Sequence, residues 1–264
     1  MADFVRDVRE RDRGIGLSKL WRMYGRMFES QRIGRDKFFE IAARHGLRLR
    51  QKRRKPRTTD SRHSFRTYPN IVKDVIPTRP DQIWVADITY IVIHDRNDAG
   101  NARFAYLSLL MDSYSKEIVG SSLREDLSTE GPIAALRQAL PRLSGGRGES
   151  LIHHSDRGSQ YASQQYTDML KNNGIGISMT ECGNPKDNAQ AERLNSTIKN
   201  ELFRGMRFHS MEEARDAIGN AIEFYNNVRP HASLDMMTPR EASFLRGDIR
   251  KHWISYRENF LRSM

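Results

Sequence analysis

Two carboxylates mark the part of this chain best suited to chemistry. Asp156 closes a short apolar run within His153-His154-Ser155-Asp156-Arg157-Gly158-Ser159-Gln160-Tyr161. Glu192 sits in Asp187-Asn188-Ala189-Gln190-Ala191-Glu192-Arg193-Leu194-Asn195, with 35 residues between the two acids. A third acid, Asp87, stands inside the β-branched and aromatic run Ile83 to Ile93. A carboxylate in a buried strand is costly unless it is paired with a cation or bound to metal. Taken alone, Asp87 fits an arginine ion pair as well as a metal site. Asp156, at a strand end before Gly158, fits an active-site acid or an ordinary turn aspartate. Three such acids on separate elements can hold two divalent ions through oxygen, the ligand that Mg²⁺ and Mn²⁺ require. Two ions about 3.5–4 Å apart stabilise both the attacking and the leaving oxygen of phosphoryl transfer.

Helical geometry separates the residues around Glu192. Ala191, Leu194, Ile198 and Leu202 form an apolar stripe, and Glu192, Asn195, Ser196 and Lys199 form a polar face. Seven residues make about two turns, so Glu192 and Lys199 project in nearly the same direction. A solvated helix face has the same pattern. Lys199 is a candidate phosphate contact as a point charge. So are His154 and Arg157 beside Asp156, and Arg193 and Asn195 beside Glu192. No zinc-type His/Cys spacing and no Gly-rich loop ending in Lys-Ser/Thr competes with the carboxylates.

The elements that must position these acids follow from periodicity. Ile83–Ile93, Phe104–Met111 and Glu117–Leu123 read as three strands joined by short turns, an antiparallel meander. A helix over 129–140 and a short strand at Leu151–His154 follow, the latter delivering Asp156. Ser163 caps a helix running to about Asn173, Gly176–Met179 is a fifth strand, and a helix spans about Lys186–Phe203. The order β-β-β-α-β-α-β-α fits a ribonuclease H-like α/β fold. Ser210 and Thr238 open two further helices with capping-box spacing.

Upstream, Leu17, Leu20, Trp21, Tyr24 and Phe28 share one helical face, and a second helix carries Phe38, Phe39, Ile41 and Ala42. This pair is readable as a helix-turn-helix or as a plain helical hairpin. Residues 1–14 lack apolar periodicity and are expected to be frayed or irregular. The domain reading is therefore a helical region at 1–47, a basic linker at 48–80, a catalytic core at 81–204 and a helical extension at 205–264.

Charge and composition narrow the partners. The 264 residues carry a net charge of +11, with 18 Lys/Arg against 8 Asp/Glu in residues 1–60, leaving 26 against 25 beyond. Such a basic arm usually meets a polyanion. Arg48, Arg50, Lys52, Arg53, Arg54, Lys55 and Arg57 are placed to neutralise phosphates without reading sequence. No apolar run approaches ~18 residues, so no membrane span is expected. Cys182 is the only cysteine, which excludes an internal disulfide and suits a cytoplasmic location.

At this point the chain resembles a known family. Trp84-Val85-Ala86-Asp87-Ile88-Thr89-Tyr90, Met111-Asp112-Ser113-Tyr114-Ser115, His154 to Tyr161, Asp187 to Glu192, Lys199, Tyr225-Asn226 with Arg229-Pro230-His231, Leu234 and Thr238-Pro239 occur in order. This ordered set is similar to the catalytic transposases of the insertion-sequence-three family, whose core resembles retroviral integrase. The resemblance implies that Asp87, Asp156 and Glu192 are a catalytic triad binding Mg²⁺ or Mn²⁺, with two ions once DNA is bound. It implies a DNA transposase acting on insertion-sequence ends and target DNA, as a homo-multimer on DNA and nucleoid-associated while bound. Where relatives often carry a tryptophan before the Asp-Asn pair, this chain has Cys182 to Lys186. A separate upstream segment, usually gained by translational fusion, is also missing, so an upstream-frame partner or fusion is expected to assist end recognition. The alternatives are a non-catalytic DNA-binding regulator and a hydrolytic nuclease of the ribonuclease H-like class.

Overall fold

The computed structural model describes residues 1–49, 64–95, 102–143, 150–181 and 188–250, with Asn259, Leu261 and Ser263. Three β-rich runs pair as the meander expects: β1 (Ile83–His94), β2 (Ala102–Asp112) and β3 (Ile118–Arg124). The β1–β2 register runs antiparallel from Trp84↔Asp112 to His94↔Ala102. β4 (Ile152–Ser155) and β5 (Gly176–Met179) then add in parallel, giving the order β3-β2-β1-β4-β5. This mixed five-stranded sheet is the ribonuclease H-like arrangement anticipated from element order. The long hairpin of β1 and β2 extends beyond the short parallel strands.

Alternation along β1 divides the core in two. Trp84 and Ala86 face one side, packing with Ile133 and Leu136 of α4 (Glu130–Ala139), Tyr161 of α5 (Ser159–Ala162) and Tyr166 and Leu170 of α6 (Gln164–Asn172). Ile83, Val85, Ile91 and Ile93 face the other. There they meet Ala191 and Leu194 of α7 (Ala189–Thr197) and Ile218 and Phe224 of α8 (Met211–Asn227). The caps behave as their residue types require. Ser163 Oγ accepts from Tyr166 N and Ser210 Oγ from Glu213 N, while Thr238 and Glu241 form a reciprocal capping box on α9 (Pro239–Ala242).

Two expectations need correction. Residues 1–14 are not irregular: α1 spans Ala2–Arg11. Phe4 and Val5 make its buried face despite the surrounding charge, and the Phe4 ring lies 5.4 Å from Tyr24 and 5.9 Å from Phe28. Tyr24 belongs to α2 (Leu17–Met27), and Phe38 of α3 (Arg35–Arg44) joins the same cluster. The three helices thus share the apolar core that α7 and α8 cover. The helix expected over 186–203 also differs. It is assigned from Ala189 and changes at Ile198–Leu202 to a π-helical turn, with Phe203 N donating to Ile198 O at 2.9 Å. The wider turn lets Ile198, Leu202 and Phe203 all bury.

That turn is also where the N-terminal segment docks. A Cβ on Gly14 would lie 2.1 Å from the Glu201 Cα, so only glycine permits this approach. Beside it, Arg229, 2% exposed, pairs with the fully buried Asp12 at 3.5 Å and with Glu201, which also meets Lys19 at 3.4 Å. Asn226 braces the sheet edge, accepting from Ile118 N at 2.9 Å and donating to Ile118 O at 3.0 Å. Among the described residues, no helix is long and apolar enough to cross a membrane.

Burial pushes the Asp12 carboxyl up from 3.8 to about 6, although Arg229 pulls it the other way. A carboxyl raised on folding stabilises fully below its unfolded value, and that contribution is lost as pH rises through the folded value. Thermal melts between pH 4 and pH 6 should therefore show the Asp12 contribution declining with pH. Asp12→Asn is expected to flatten that segment of the curve. Parallel curves for the variant and wild type would contradict it.

Candidate active site

The parallel pairing of β1 with β4 runs toward two of the three acids. The β1–β4 ladder pairs Ile83↔Ile152, Trp84↔His153 and Val85↔His154. The ladder ends two residues short of Asp87 and Asp156, and both acids act electrostatically on the same Tyr161 hydroxyl. β4 stops at Ser155 because the chain turns there: Asp156 Oδ1 accepts from Gly158 N at 2.9 Å. A Cβ on Gly158 would stand 3.0 Å from that oxygen, a tight approach that the carboxylate would have to yield to.

α7 is moored to β1 by two amides. Asn188 Nδ2 donates to Ala86 O at 3.1 Å, and Asn195 Nδ2 donates to Asp87 Oδ2 at 2.7 Å. Asp87 Oδ1 accepts from Ile88 N at 3.0 Å. Both oxygens of the buried Asp87 carboxylate thus accept a hydrogen bond. Glu192 is half-buried on α7 and precedes Asn195 by three residues, nearly one turn. Among the described residues, no three His, Cys, Asp or Glu side chains converge as a metal-holding group. Asp87 stands in β1, Asp156 just past the end of β4, and Glu192 on α7. The donor set is entirely carboxylate oxygen, which fits a hard cation such as Mg²⁺ or Mn²⁺.

Beneath the pair lies an aromatic support. Tyr161 packs 6.0 Å from the His153 ring and 5.4 Å from Tyr166. Burial raises the Tyr161 hydroxyl well above its ordinary range, helped by Tyr166 and by the neighbouring Asp87 and Asp156. Burial pushes His153 down to about 3, so its imidazole is neutral, and its Nε2 lies 2.9 Å from the Tyr166 hydroxyl.

The remaining candidates fall into three groups. His154 and Asn195 do not face solvent as phosphate contacts would. His154 is 1% exposed with Nδ1 2.9 Å from Ser178 Oγ, because alternation in β4 turns it inward, and Asn195 is spent on Asp87. Arg157 is half-buried, donating from Nε to Thr180 O at 2.6 Å. Arg193, Lys199 and Arg48 are exposed. Arg50, Lys52, Arg53, Arg54, Lys55 and Arg57 lie outside the described residues, as does Cys182 to Asp187. Lys199 lines an open groove of about 890 Å³ with His94, Asn200, Phe203, Arg204, Gly205, Met206 and Arg207.

Sequence reasoning missed the mooring role of Asn188 and Asn195. Their signal was an amide at each end of the Glu192 segment, two turns apart. Asn195→Ala would leave Asp87 Oδ2 buried without this donor, an expected loss of about 1–3 kcal/mol in urea unfolding. An unchanged midpoint and slope would remove the amide from the site.

Comparison with known proteins places this geometry. An integrase core domain family matches residues 77–185, and a second integrase core domain family matches residues 173–239. A 31 kDa protein of insertion element IS600 from Shigella sonnei is 37% identical over 78% of this chain and 74% of its own length. The transposase of insertion element IS629, also from Shigella sonnei, is 32% identical over 88% of this chain and 75% of its own. The transposase of insertion element IS904 from Lactococcus lactis is 29% identical over 86% and 85%. In fold, the chain resembles a protein in the simian T-cell lymphotropic virus intasome, with a TM-score of 0.52 and 17% identity over 84% of this chain and 72% of that one. The chain belongs to the insertion-sequence transposases built on an integrase core domain.

Proposed function

We propose that this transposase cleaves and joins DNA by direct in-line attack on a phosphodiester, using Asp87, Asp156 and Glu192 as its catalytic acids. The observation that supports the reading is the β1–β4 ladder, which runs to two residues before Asp87 and Asp156, with α7 moored to Asp87 through Asn195. Asp87 and Asp156 would hold divalent metal between them, and Glu192 would complete the ligand set from α7. Bound Mg²⁺ or Mn²⁺, two ions with DNA in place, supplies Lewis-acid stabilisation of the attacking and leaving oxygens.

The chain's own residues do the rest. Asn195 donates to Asp87 Oδ2 and so restrains rotation of that carboxylate. The turn at Gly158 does the same for Asp156. Lys199, exposed beyond Glu192 on the same helical segment, binds a DNA phosphate and sets the strand in line. Water is the first nucleophile and a DNA 3′-hydroxyl the second, with no covalent protein–DNA intermediate. The ordered motifs from Trp84 to Pro239 support membership of the insertion-sequence-three family. Joining two ends requires a multimer on DNA, and an upstream-frame partner or fusion would supply part of end recognition. Arg193, the exposed Arg48 and the basic run to Arg57 would add sequence-independent phosphate contacts, with the helical pair at 17–46 as a further DNA-binding unit.

Asp87→Asn, Asp156→Asn and Glu192→Gln should each reduce strand transfer by at least on the order of 10²–10³-fold, the scale of a lost catalytic electrostatic group. Duplex binding should remain. The assay uses Mn²⁺ and a labelled duplex bearing the element's end. Joined products support transposition, short fragments only would indicate a nuclease, and a bound but intact duplex would indicate a regulator.

A further inference from the structure

The motif Met111 to Ser115 has no part in the chemistry proposed above, yet the fold joins it to the helix that carries Glu192. Asp112 is fully buried and organises the turn between β2 and β3. Its Oδ1 accepts from Tyr114 N at 3.1 Å, Ser115 N at 2.6 Å and Ser115 Oγ at 2.7 Å, and its Oδ2 accepts from Asp81 N at 2.7 Å. Ser113 N donates to Ile83 O at 2.8 Å, which ties the turn to the start of β1. Lys116 then adopts φ +64°, in the left-handed region that suits glycine, with its backbone N–H donating to Asp112 O at 2.9 Å. A lysine in that conformation is strained, and strain of this kind persists where the surrounding contacts hold it.

Those contacts lie on α7. Gln190 Oε1 accepts from Lys116 Nζ at 2.8 Å and from Ser113 Oγ at 2.9 Å. Lys116 Nζ also donates to Ser113 O, so the ammonium links the turn to the helix. Gln190 thus adds a third amide to Asn188 and Asn195, and it acts from a different side. At about 100° per residue, Asn188 and Asn195 lie within about 60° of Glu192 around the helix axis, whereas Gln190 lies about 160° away. Both asparagines reach β1, Asn188 at Ala86 O and Asn195 at Asp87. Two attachments on one side leave a helix able to roll about the line that joins them. A third on the far side, to a turn itself tied to β1, removes that freedom. Glu192 N donates to Asn188 O at 3.1 Å within the same first turn, so the roll of this turn decides where the Glu192 carboxyl points. We infer that Gln190, clasped by Lys116 and Ser113, is a positioning residue that sets the roll of α7 and thereby the approach of Glu192 to the metal. The inference rests on the proposed role of Glu192 as a ligand, while the clasp itself is measurable without metal or DNA.

Two measurements on the full chain test it. Hydrogen exchange over Asn188 to Thr197, without metal or DNA, reads the clasp. Mn²⁺ titration of the protein bound to a duplex bearing the element's end, followed by electron spin resonance of the unbound ion, reads its consequence. Gln190→Leu removes the acceptor and should speed exchange of that segment about 10-fold, the scale of one charge-assisted hydrogen bond, with exchange in β1 unchanged. It should also weaken Mn²⁺ binding about 10-fold, the lower end of the cost of losing a group that orients a metal ligand. Gln190→Glu still accepts from both donors and should return both readings to wild-type values. Lys116→Met removes the charged donor from the other side, should move both readings in the same direction, and serves if Gln190→Leu fails to fold. Wild-type exchange or wild-type Mn²⁺ affinity in whichever of these two variants folds would overturn the inference. So would faster exchange throughout β1, or a defect in Gln190→Glu as large as that in Gln190→Leu. Failure of the catalytic reading is a separate result: Glu192→Gln would then bind Mn²⁺ as wild type does, whatever the exchange rates.

Discussion

Parallel pairing of β1 with β4 sets the course of the two strands that lead to Asp87 and Asp156, and the rest of the candidate site is arranged around that pairing. β4 has only four residues, so its register is held by few backbone bonds and by the burial of alternate side chains. A slip of one residue would turn His154 and Asp156 to the opposite face and bring His153 and Ser155 over. His154 resists that slip by lying buried against Ser178 of β5, and His153 by its contact with Tyr166 of α6. Two histidines beside an acid thus work as struts for the strand that presents it.

The second constraint is the attachment of α7. Asn188 and Asn195 bond to consecutive residues of β1, so the helix carrying Glu192 is referenced to the strand carrying Asp87. The following π-turn is held from the other side by Arg229, Asp12, Lys19 and the close approach of Gly14. Removing Arg229 would leave the fully buried Asp12 without its cation, whereas removing Asp12 would leave Arg229 its pair with Glu201, so the first change is the more costly. The N-terminal helices and the Tyr225-to-His231 segment therefore bear on the position of α7 and, through it, on Glu192.

Much of this was legible in the sequence where one residue type serves one local purpose. The five strands are legible as apolar runs, β-branched in β1 and rich in leucine and aromatics in β2, and they appear within one or two residues of their expected ends. The Ser163, Ser210 and Thr238 caps follow from side chains that bond three residues ahead. Legibility failed where the partner is distant or the signal diluted. Charged residues hid the Phe4 and Val5 face of α1. His154 read as a phosphate contact because it adjoins Asp156, whereas its orientation depends on the pleat. Asn195 read as a solvent-facing amide because nothing local reveals a partner 108 positions away. Asn226 and Arg229 were visible as a motif, but their partners Ile118 and Asp12 are set only by the completed fold.

We propose Asp87 and Asp156 as the seat for catalytic metal, with Glu192 closing from α7. Anomalous diffraction from Mn²⁺-soaked crystals of the protein bound to DNA tests it most directly. The predicted result is an anomalous peak touching carboxylate oxygens of both aspartates at roughly 2.1–2.2 Å, near the distance expected for a small octahedral cation, with Glu192 turned toward it. Mn²⁺ bound elsewhere, or a DNA complex in which the two aspartates share no ion, would contradict it.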